Sequence, residues 1–267
     1  MQRRLIVLCL VLFIIAACVW LLWGNVALEL YSEKILCDGL PDSFNGFRIA
    51  HVSDLHSAQI GKNNERLLNM LRQVEPDLNA ITGDLTDSRD TDLSIALHFA
   101  TEAAKIAPCY YVTGNHEVRL QGTLYDELLE GLTAVGVIVL EDEEVILSRE
   151  GDSISIAGHG WGPAAKVNNI SVFGGFRVLL AHAPEDIETY ASAGFDLVLC
   201  GHVHGGQFRI PFIGGLYAPG QGFFPEYDGG CYSVGNTTMI VSRGIGNSNI
   251  PLRINNRPEL ILLVLEG

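Results

Sequence analysis

Phe47-Arg48-Ile49-Ala50-His51-Val52-Ser53-Asp54-Leu55-His56 sets the pattern on which the rest of the chain is read. A short, mostly apolar run ends in a carboxylate and an imidazole two residues apart. The same pattern recurs along the chain. Residues 78–82 run into Gly83-Asp84-Leu85-Thr86-Asp87, and residues 109–113 into Gly114-Asn115-His116-Glu117. Residues 178–181 end at His182-Ala183-Pro184, and residues 197–200 at Gly201-His202-Val203-His204. Apolar runs of this length, bounded by Gly and polar residues, read as buried strands. Between them the period changes. Leu67, Leu68, Leu71 and Val74 repeat at helical spacing over 64–75, where Pro76 stops the helix. Residues 92–106, with Leu93, Leu97 and Ala100 on one face, and residues 124–132 follow the same rule. Strand–helix alternation predicts a sheet covered by helices, with ligands in the crevice at the strands' carboxyl ends. Residues 154–158, 238–242 and 260–265 read as strands without long helices between them, which predicts a second sheet packed on the first. No internal repeat or low-complexity tract interrupts the pattern.

The residues at the run ends carry the chemistry. Asp54, His56, Asp84, Asn115, His116, His182, His202 and His204 supply two carboxylates, one amide and five imidazoles. This mixture of hard oxygen and borderline nitrogen donors suits two divalent transition ions, and Mn, Fe, Zn and Co all tolerate it. No Cys pair stands at zinc-finger spacing, which removes a closed structural zinc site. Glycine neighbours nearly every ligand and permits the sharp turn that aims a side chain at an ion. Asp84, with two carboxylate oxygens, is the candidate bridge; ions about 3.5–4 Å apart clamp both oxygens of an in-line phosphoryl displacement. His202 and His204 share a face if they lie on a strand, and serve different ions if they lie on a loop. Asp87 and Glu117 are expected to orient imidazoles. Taken singly, Asp54, Asp84 and Asn115 also suit the capping of turns. As a set, the eight read as a two-metal hydrolase.

Composition adds the setting. Of 267 residues 48% are hydrophobic, and much of that excess sits at the start. Residues 5–23 form an unbroken apolar run, enough to cross a bilayer core of roughly 30 Å as a helix. Arg3 and Arg4 precede the run, while Glu29, Glu33 and Asp38 follow it, so the N-terminus is expected in the cytoplasm and the remainder outside. Residues 1–25 read as an uncleaved signal anchor at the cell membrane. A cleaved signal peptide, a lipoprotein-like box at Ile15-Ala16-Ala17-Cys18 and a loose twin-arginine match compete, but the run is longer than such leaders carry. Residues 26–45 read as a linker leading into the domain, and residues 46–267 as the domain itself. A net charge of −14, with pI near 4.9, provides no basic stripe, so no nucleic-acid partner is expected. An anionic substrate stays allowed, because bound cations dominate the field inside a metal site. Cys109 and Cys200 lie in apolar runs and read as small buried hydrophobes. His51, His98 and His159 read as structural, although His159 in Gly158-His159-Gly160-Trp161 is also placed to line a substrate side. Arg243 suits either a phosphate oxygen or a salt bridge. Residues 210–232, rich in Gly, Pro and aromatics, read as a lid, a lipid-facing surface or a packed loop. Oligomeric state leaves no signal.

Asp-x-His, Gly-Asp-x-x-Asp, Gly-Asn-His-Glu, a lone His and Gly-His-x-His, in this order, resemble the calcineurin-like metallophosphoesterase superfamily. The apolar start, Ser242-Arg243-Gly244-Ile245-Gly246 and Pro251-Leu252-Arg253 resemble its bacterial membrane-associated branch. The resemblance covers residues 47–266. It implies an α/β fold, a four-layer αββα sandwich of two packed mixed sheets, behind an N-terminal transmembrane helix. It implies one ion on Asp54, His56, Asp84 and His204 and a second on Asp84, Asn115, His182 and His202. His116 matches the family's non-ligand histidine, which contacts the phosphate and protonates the leaving oxygen, while a metal-bridging hydroxide attacks phosphorus directly. The expected activity is membrane-anchored hydrolysis of a phosphodiester or lipid-linked phosphate. A phosphomonoesterase, or a metal-binding cell-envelope protein with negligible turnover, are the alternatives.

Overall fold

A computed structural model describes residues 2–170, 173–247 and 250–267. Met1 of the expected anchor, and residues 171–172 and 248–249 of the expected domain, lie outside them. The chain opens with α1 (Gln2–Val26), β1 (Glu29–Leu36), β2 (Arg48–Val52), α2 (Glu65–Val74) and β3 (Leu78–Thr82). Next come α3 (Ser94–Ala104), β4 (Cys109–Val112), α4 (Leu124–Ala134), β5 (Ile138–Val139), β6 (Glu143–Arg149) and β7 (Asp152–Gly158). Then follow β8 (Arg177–Leu180), α5 (Ile187–Ser192), β9 (Leu197–Cys200), β10 (Arg209–Ile210), β11 (Gly214–Gly215), β12 (Tyr217–Ala218) and β13 (Gly222–Phe223). The last strands are β14 (Gly230–Val234), β15 (Thr237–Val241) and β16 (Glu259–Glu266).

Two six-stranded sheets result, in the orders β1-β16-β2-β3-β4-β5 and β14-β15-β9-β8-β7-β6. Both are mixed: β2, β3 and β4 run parallel, as do β7, β8, β9 and β15, whereas β16 is antiparallel to β2. Side-chain alternation sorts each strand between two cores. In β16, Ile261, Leu263 and Leu265 point between the sheets, where Ile49, Val178, Leu180, Leu197 and Leu199 meet them. Leu260 and Leu262 point the other way, onto Leu67, Leu71, Phe99, Leu128 and Leu132 of α2, α3 and α4. The second sheet's outer face, with Leu179, Val198 and Val241, packs on Ile187 and Tyr190 of α5. The layers are therefore helix, sheet, sheet, helix. Strands buried on both faces explain why the sequence shows continuous apolar runs rather than alternation.

Two elements differ from expectation. Residues 26–45 are more than a linker, because β1 pairs in parallel with β16 from Glu29↔Glu259 to Leu36↔Glu266. Its polar, half-exposed face is what an edge strand shows, and it hid the strand from hydropathy. In α3 the buried face is carried by Ala96, Phe99, Ala100 and Ala103, with Leu97 only partly covered. Cys37, Cys109 and Cys200 are buried and Cys231 is exposed; no disulfide joins any of the six cysteines, all of which lie among the described residues.

α1 stands apart from these layers. None of its side chains is buried, and most of its large apolar side chains are exposed. Only its end is tied down: the Arg253 N–H donates to Asn25 Oδ1 (2.7 Å), Asn25 Nδ2 donates to Arg253 O (3.0 Å), and the Arg257 guanidinium lies over the Trp23 ring. By length and composition this helix is long and apolar enough to cross a membrane.

Candidate metal centre

The ligand candidates gather where parallel strands of the two sheets end side by side. Asp54 and His56 follow β2, Asp84 follows β3, Asn115 and His116 follow β4, His182 follows β8, and His202 and His204 follow β9. All eight are buried. Asp54, His56 and His204 converge in one group and Asp84, His182 and His202 in another. Asp84 stands between them: its Oδ2 is 3.4 Å from His56 Nε2 and 3.2 Å from His182 Nε2. Asp54 Oδ1 faces His204 Nε2 at 3.5 Å, and both its oxygens accept the His202 backbone N–H (3.0 and 3.2 Å). Since His202 and His204 leave the strand before they turn, they go to different groups, which resolves the alternative that spacing left open.

This convergence demands an unusual backbone. Asp54, His56, Asp84, His202 and His204 all have positive φ, between 47° and 73°. Such conformations disfavour non-glycine residues and gather at functional sites. Gly201 shows how tight the approach is, since a Cβ there would lie 1.8 Å from Ser53 Oγ and 2.4 Å from Asp54 Oδ2.

The donors fit divalent cations. His182 Nδ1 lies 2.6 Å from the Thr82 carbonyl oxygen, so that nitrogen carries the proton and donates. The lone pair of His182 Nε2 then faces Asp84, and Nε2 has no hydrogen-bond partner among the described residues. His56 Nε2 and His204 Nε2 face each other at 3.0 Å. Two carboxylates are buried here with no Lys or Arg salt bridge among the described residues, and this demands positive charge. The imidazoles answer part of it. Burial alone would raise Asp54 and Asp84, yet the surrounding histidines hold both well below the usual carboxylate range. Burial opposes protonation of His182, but Asp84 lifts its pKa to about 10. Burial, helped by His182, pushes His202 down to about 4; burial takes His204 to about 3. Neutral imidazole is the form that binds metal, so His202 and His204 are ready ligands, whereas an ion at His182 Nε2 would displace the proton that Asp84 otherwise holds there.

Around the donors, the structure redistributes roles. Glu117, expected to orient imidazoles, hydrogen-bonds none. It accepts the backbone N–H groups of Asp84 (2.8 Å), Gly114 (2.8 Å) and Thr86 (3.0 Å), and so ties the loop after β3 to the loop after β4. Burial, reinforced by Asp84, raises its carboxyl to about 7. Asp87 stays closer to its expected place, 3.7 Å from His116 Nδ1 and 4.0 Å from His56 Nδ1, while Arg89 binds its outer side. The Ser88 N–H donates to His116 Nδ1 (3.1 Å), which puts the proton of the neutral ring on Nε2. Arg243 does not serve a phosphate: Glu259 and Glu29 engage its guanidinium. His51 hydrogen-bonds Thr82 and His159 hydrogen-bonds Asp142, both structural contacts, and His98 is exposed on α3.

A cleft of about 410 Å³ opens over the donors and is lined by Asp84, Asn115, His116, His202 and His204 together with Arg119, Trp161, Glu185, Tyr217, Pro219 and Gly220. Sequence reasoning gave no role to Arg119, Trp161, Glu185 or Tyr217. Arg119 and Glu185 each stand three residues after a candidate site histidine, and that spacing on a tight turn was the available signal. Trp161 packs on His182 and His202, with ring centroids 5.7 and 5.0 Å away. Arg253, buried, donates to Arg243 O and Gly246 O and lies 3.3 Å from His204 Nδ1, a contact that no local pattern announces.

Comparison with known proteins agrees with this geometry. The family model described as calcineurin-like phosphoesterase matches residues 47–206. Phosphodiesterase YaeI of Escherichia coli (strain K12) is 30% identical over 231 residues, 84% of each chain. The uncharacterized metallophosphoesterase YkuE of Bacillus subtilis (strain 168) is 31% identical over 253 residues, 90% of this chain and 86% of the relative. A transmembrane protein with metallophosphoesterase domain from Danio rerio is 30% identical over 87% of this chain, which spans 56% of that relative's length. With its two sheets, its strand-end clusters and these relatives, the chain belongs to the calcineurin-like phosphoesterase family, whose members are metal-dependent phosphoester hydrolases.

Proposed function

We propose that this chain is a membrane-anchored phosphodiesterase with two divalent ions in the strand-end centre. Asp54, His56, Asp84 and His204 hold one ion, and Asp84, Asn115, His182 and His202 hold the other. The carrying observation is Asp84 Oδ2, placed between His56 and His182, one imidazole from each group. When bound, the ions supply Lewis acidity: they lower the pKa of water and offset charge on the phosphoryl oxygens. The chain's own residues do the rest. His116 presents its Nε2 proton to the leaving oxygen, and the Ser88 N–H, by donating to Nδ1, holds the ring in that tautomer and orientation. Trp161 walls the cleft and excludes water beside His182 and His202. Glu117 fixes the spacing of the two loops that carry Asp84 and Asn115.

Charge around the cleft favours a diester. Among the described residues Arg119 is the one Lys or Arg lining it, and Glu185 lines it too. A monoester's second negative charge finds no further cation there. Residues 1–25 form the anchor, with the N-terminus in the cytoplasm and the domain outside, as Arg3 and Arg4 before the apolar helix and the acidic residues after it suggest. The domain starts with β1 rather than at residue 46.

The test uses the full chain in detergent, stripped of metal and refilled with Mn²⁺, Zn²⁺ or Fe²⁺, on an aryl phosphodiester and the matching monoester. Metal-dependent diester turnover is expected, abolished by Asp84→Asn and reduced on the order of 10²–10⁴-fold by His116→Ala, the usual worth of a positioned acid. Turnover of the monoester alone overturns the substrate class. Absence of any turnover with two ions bound per chain leaves the alternative of a metal-binding envelope protein.

A further inference from the structure

Residues 209–224 build two small hairpins whose ends are apolar and fully presented to solvent. Phe212 is 109% exposed, Phe223 72%, Ile213 66% and Phe224 59%. Scattered exposed apolar residues are ordinary, but four large ones within one short uncharged segment mark an interaction surface. From residue 210 to residue 225 there is no charged side chain, in a chain of net charge −14. The backbone is held in an unfavourable conformation to present two of these rings, since Phe212 (φ 67°) and Phe224 (φ 56°) both lie in the left-handed region.

Position says what the surface meets. Asn255 lines both the hollow beneath Trp20 and Trp23 of α1 and the hollow beneath Phe212. Its Nδ2 donates to the Arg209 carbonyl oxygen at the root of the first hairpin (3.2 Å). Two residues earlier, Arg253 is bonded to Asn25 at the end of α1. The hairpins therefore stand beside the point where the apolar helix meets the domain. On their other side they reach the candidate metal centre: Tyr217 packs edge-to-face with Phe223 (5.4 Å) and, with Pro219 and Gly220, lines the cleft. The roots are firm, because the Arg209 guanidinium donates to the Asp228 and Gly205 carbonyl oxygens and Leu216 N–H bonds to Phe208 O.

We propose that this double hairpin is a lip that inserts into the outer half of the bilayer next to α1, so that the cleft receives an amphipathic phosphodiester directly from the membrane. The inference rests on the membrane-anchored reading given above. Aromatic side chains at a helix–membrane junction suit the interfacial region, where a ring buries its apolar body at headgroup depth. The absence of charge removes the repulsion that an acidic protein meets at anionic headgroups.

The experiment places the full chain, loaded with Mn²⁺, in phosphatidylcholine vesicles with and without bromine-substituted acyl chains. Phe212→Trp is compared with the unaltered protein to subtract Trp20, Trp23 and Trp161. In parallel, Phe212→Asp/Phe224→Asp is assayed on a soluble aryl phosphodiester and on a fluorescent phosphodiester lipid in the same vesicles. The lip predicts that the introduced indole emits at blue-shifted wavelength and is quenched by bromolipid. It also predicts a roughly tenfold or larger loss on the vesicle-borne substrate for the double variant, as expected for moving two rings out of an apolar phase, with soluble turnover retained. An unquenched indole beside normal soluble turnover overturns the lip and leaves the phosphodiesterase standing. A quenched indole without any turnover supports the lip and overturns the enzymatic reading. Protection of the indole from aqueous quencher without bromolipid quenching assigns the surface to a protein partner and refutes the bilayer.

Discussion

Glu117→Gln keeps the size of the side chain and changes only its charge and one acceptor, so it isolates what the carboxylate does. In the native chain one oxygen, Oε2, accepts N–H from both Asp84 and Gly114, and the other, Oε1, accepts N–H from Thr86. The amide of Gln has one acceptor oxygen and one NH₂. Whichever way it turns, donors face donors, and the orientation that spares Thr86 orphans the N–H groups of both metal loops. Each buried unsatisfied donor costs about 1–3 kcal/mol. Relief of burying a carboxylate offsets part of that loss, leaving a net cost of about 2–4 kcal/mol. For a domain of this size each kcal/mol lowers Tm by roughly 2–4 °C, so the drop is roughly 5–15 °C. Because Asp84 rides on one of those loops, metal affinity is expected to fall about 10–100-fold, the usual effect of disturbing a ligand's support. Thermal melting of the metal-free and Mn²⁺-loaded chain, with titration of bound metal, measures both. A variant that melts with the wild type and loads metal with unchanged affinity refutes the view that Glu117 sets the loop spacing. A variant that loses affinity while keeping its metal-free Tm points instead to an electrostatic role.

Two further predictions concern the same centre. Gly201→Ala puts a Cβ where Ser53 Oγ and Asp54 Oδ2 stand, at 1.8 and 2.4 Å. The strand-end loops must part, at a cost of about 1–3 kcal/mol and with turnover of the aryl diester falling on the order of 10²-fold, as misplacement near 1 Å does; wild-type turnover would show the approach to be soft. Removal of metal with a chelator is expected to lower Tm, since ions at a hundred times their Kd contribute about 2.7 kcal/mol per site. Asp84→Asn should be markedly less sensitive to chelation, and equal sensitivity would place the stabilising ions elsewhere.

Much of the fold and the centre was legible because both rest on local rules. Strands β2, β3, β4, β8 and β9 are buried on both faces, so they appear as apolar runs, and a parallel sheet must present their carboxyl ends together. Any functional side chain at those ends is brought to one edge by topology alone. This is why Asp54, Asp84 and Asn115 fall together at one sheet's edge and His182 and His202 at the other's, while the packing of the two sheets brings the sets together. The apolar stretch of α1 needs no tertiary partner and is equally plain.

Other features depended on contacts between distant segments. β1 joins the sheet by pairing with β16, more than two hundred residues later, and as an edge strand it carries too few apolar residues to declare itself. The split of His202 and His204 between two groups depends on left-handed backbone that two histidines do not advertise. Glu117 looked like an imidazole partner because it follows His116, yet a 3₁₀ turn swings it onto backbone N–H groups of a neighbouring loop. Arg253 reaches His204 across forty-nine positions, and Arg243 is taken by Glu259 rather than left for a phosphate. The sequence determined which chemistry the chain carries, since donor types and strand ends are local properties. Only the tertiary structure decided which donor faces which, what holds each loop, and that the apolar hairpins stand between the apolar helix α1 and the cleft, because those relations arise from packing between residues far apart in the chain.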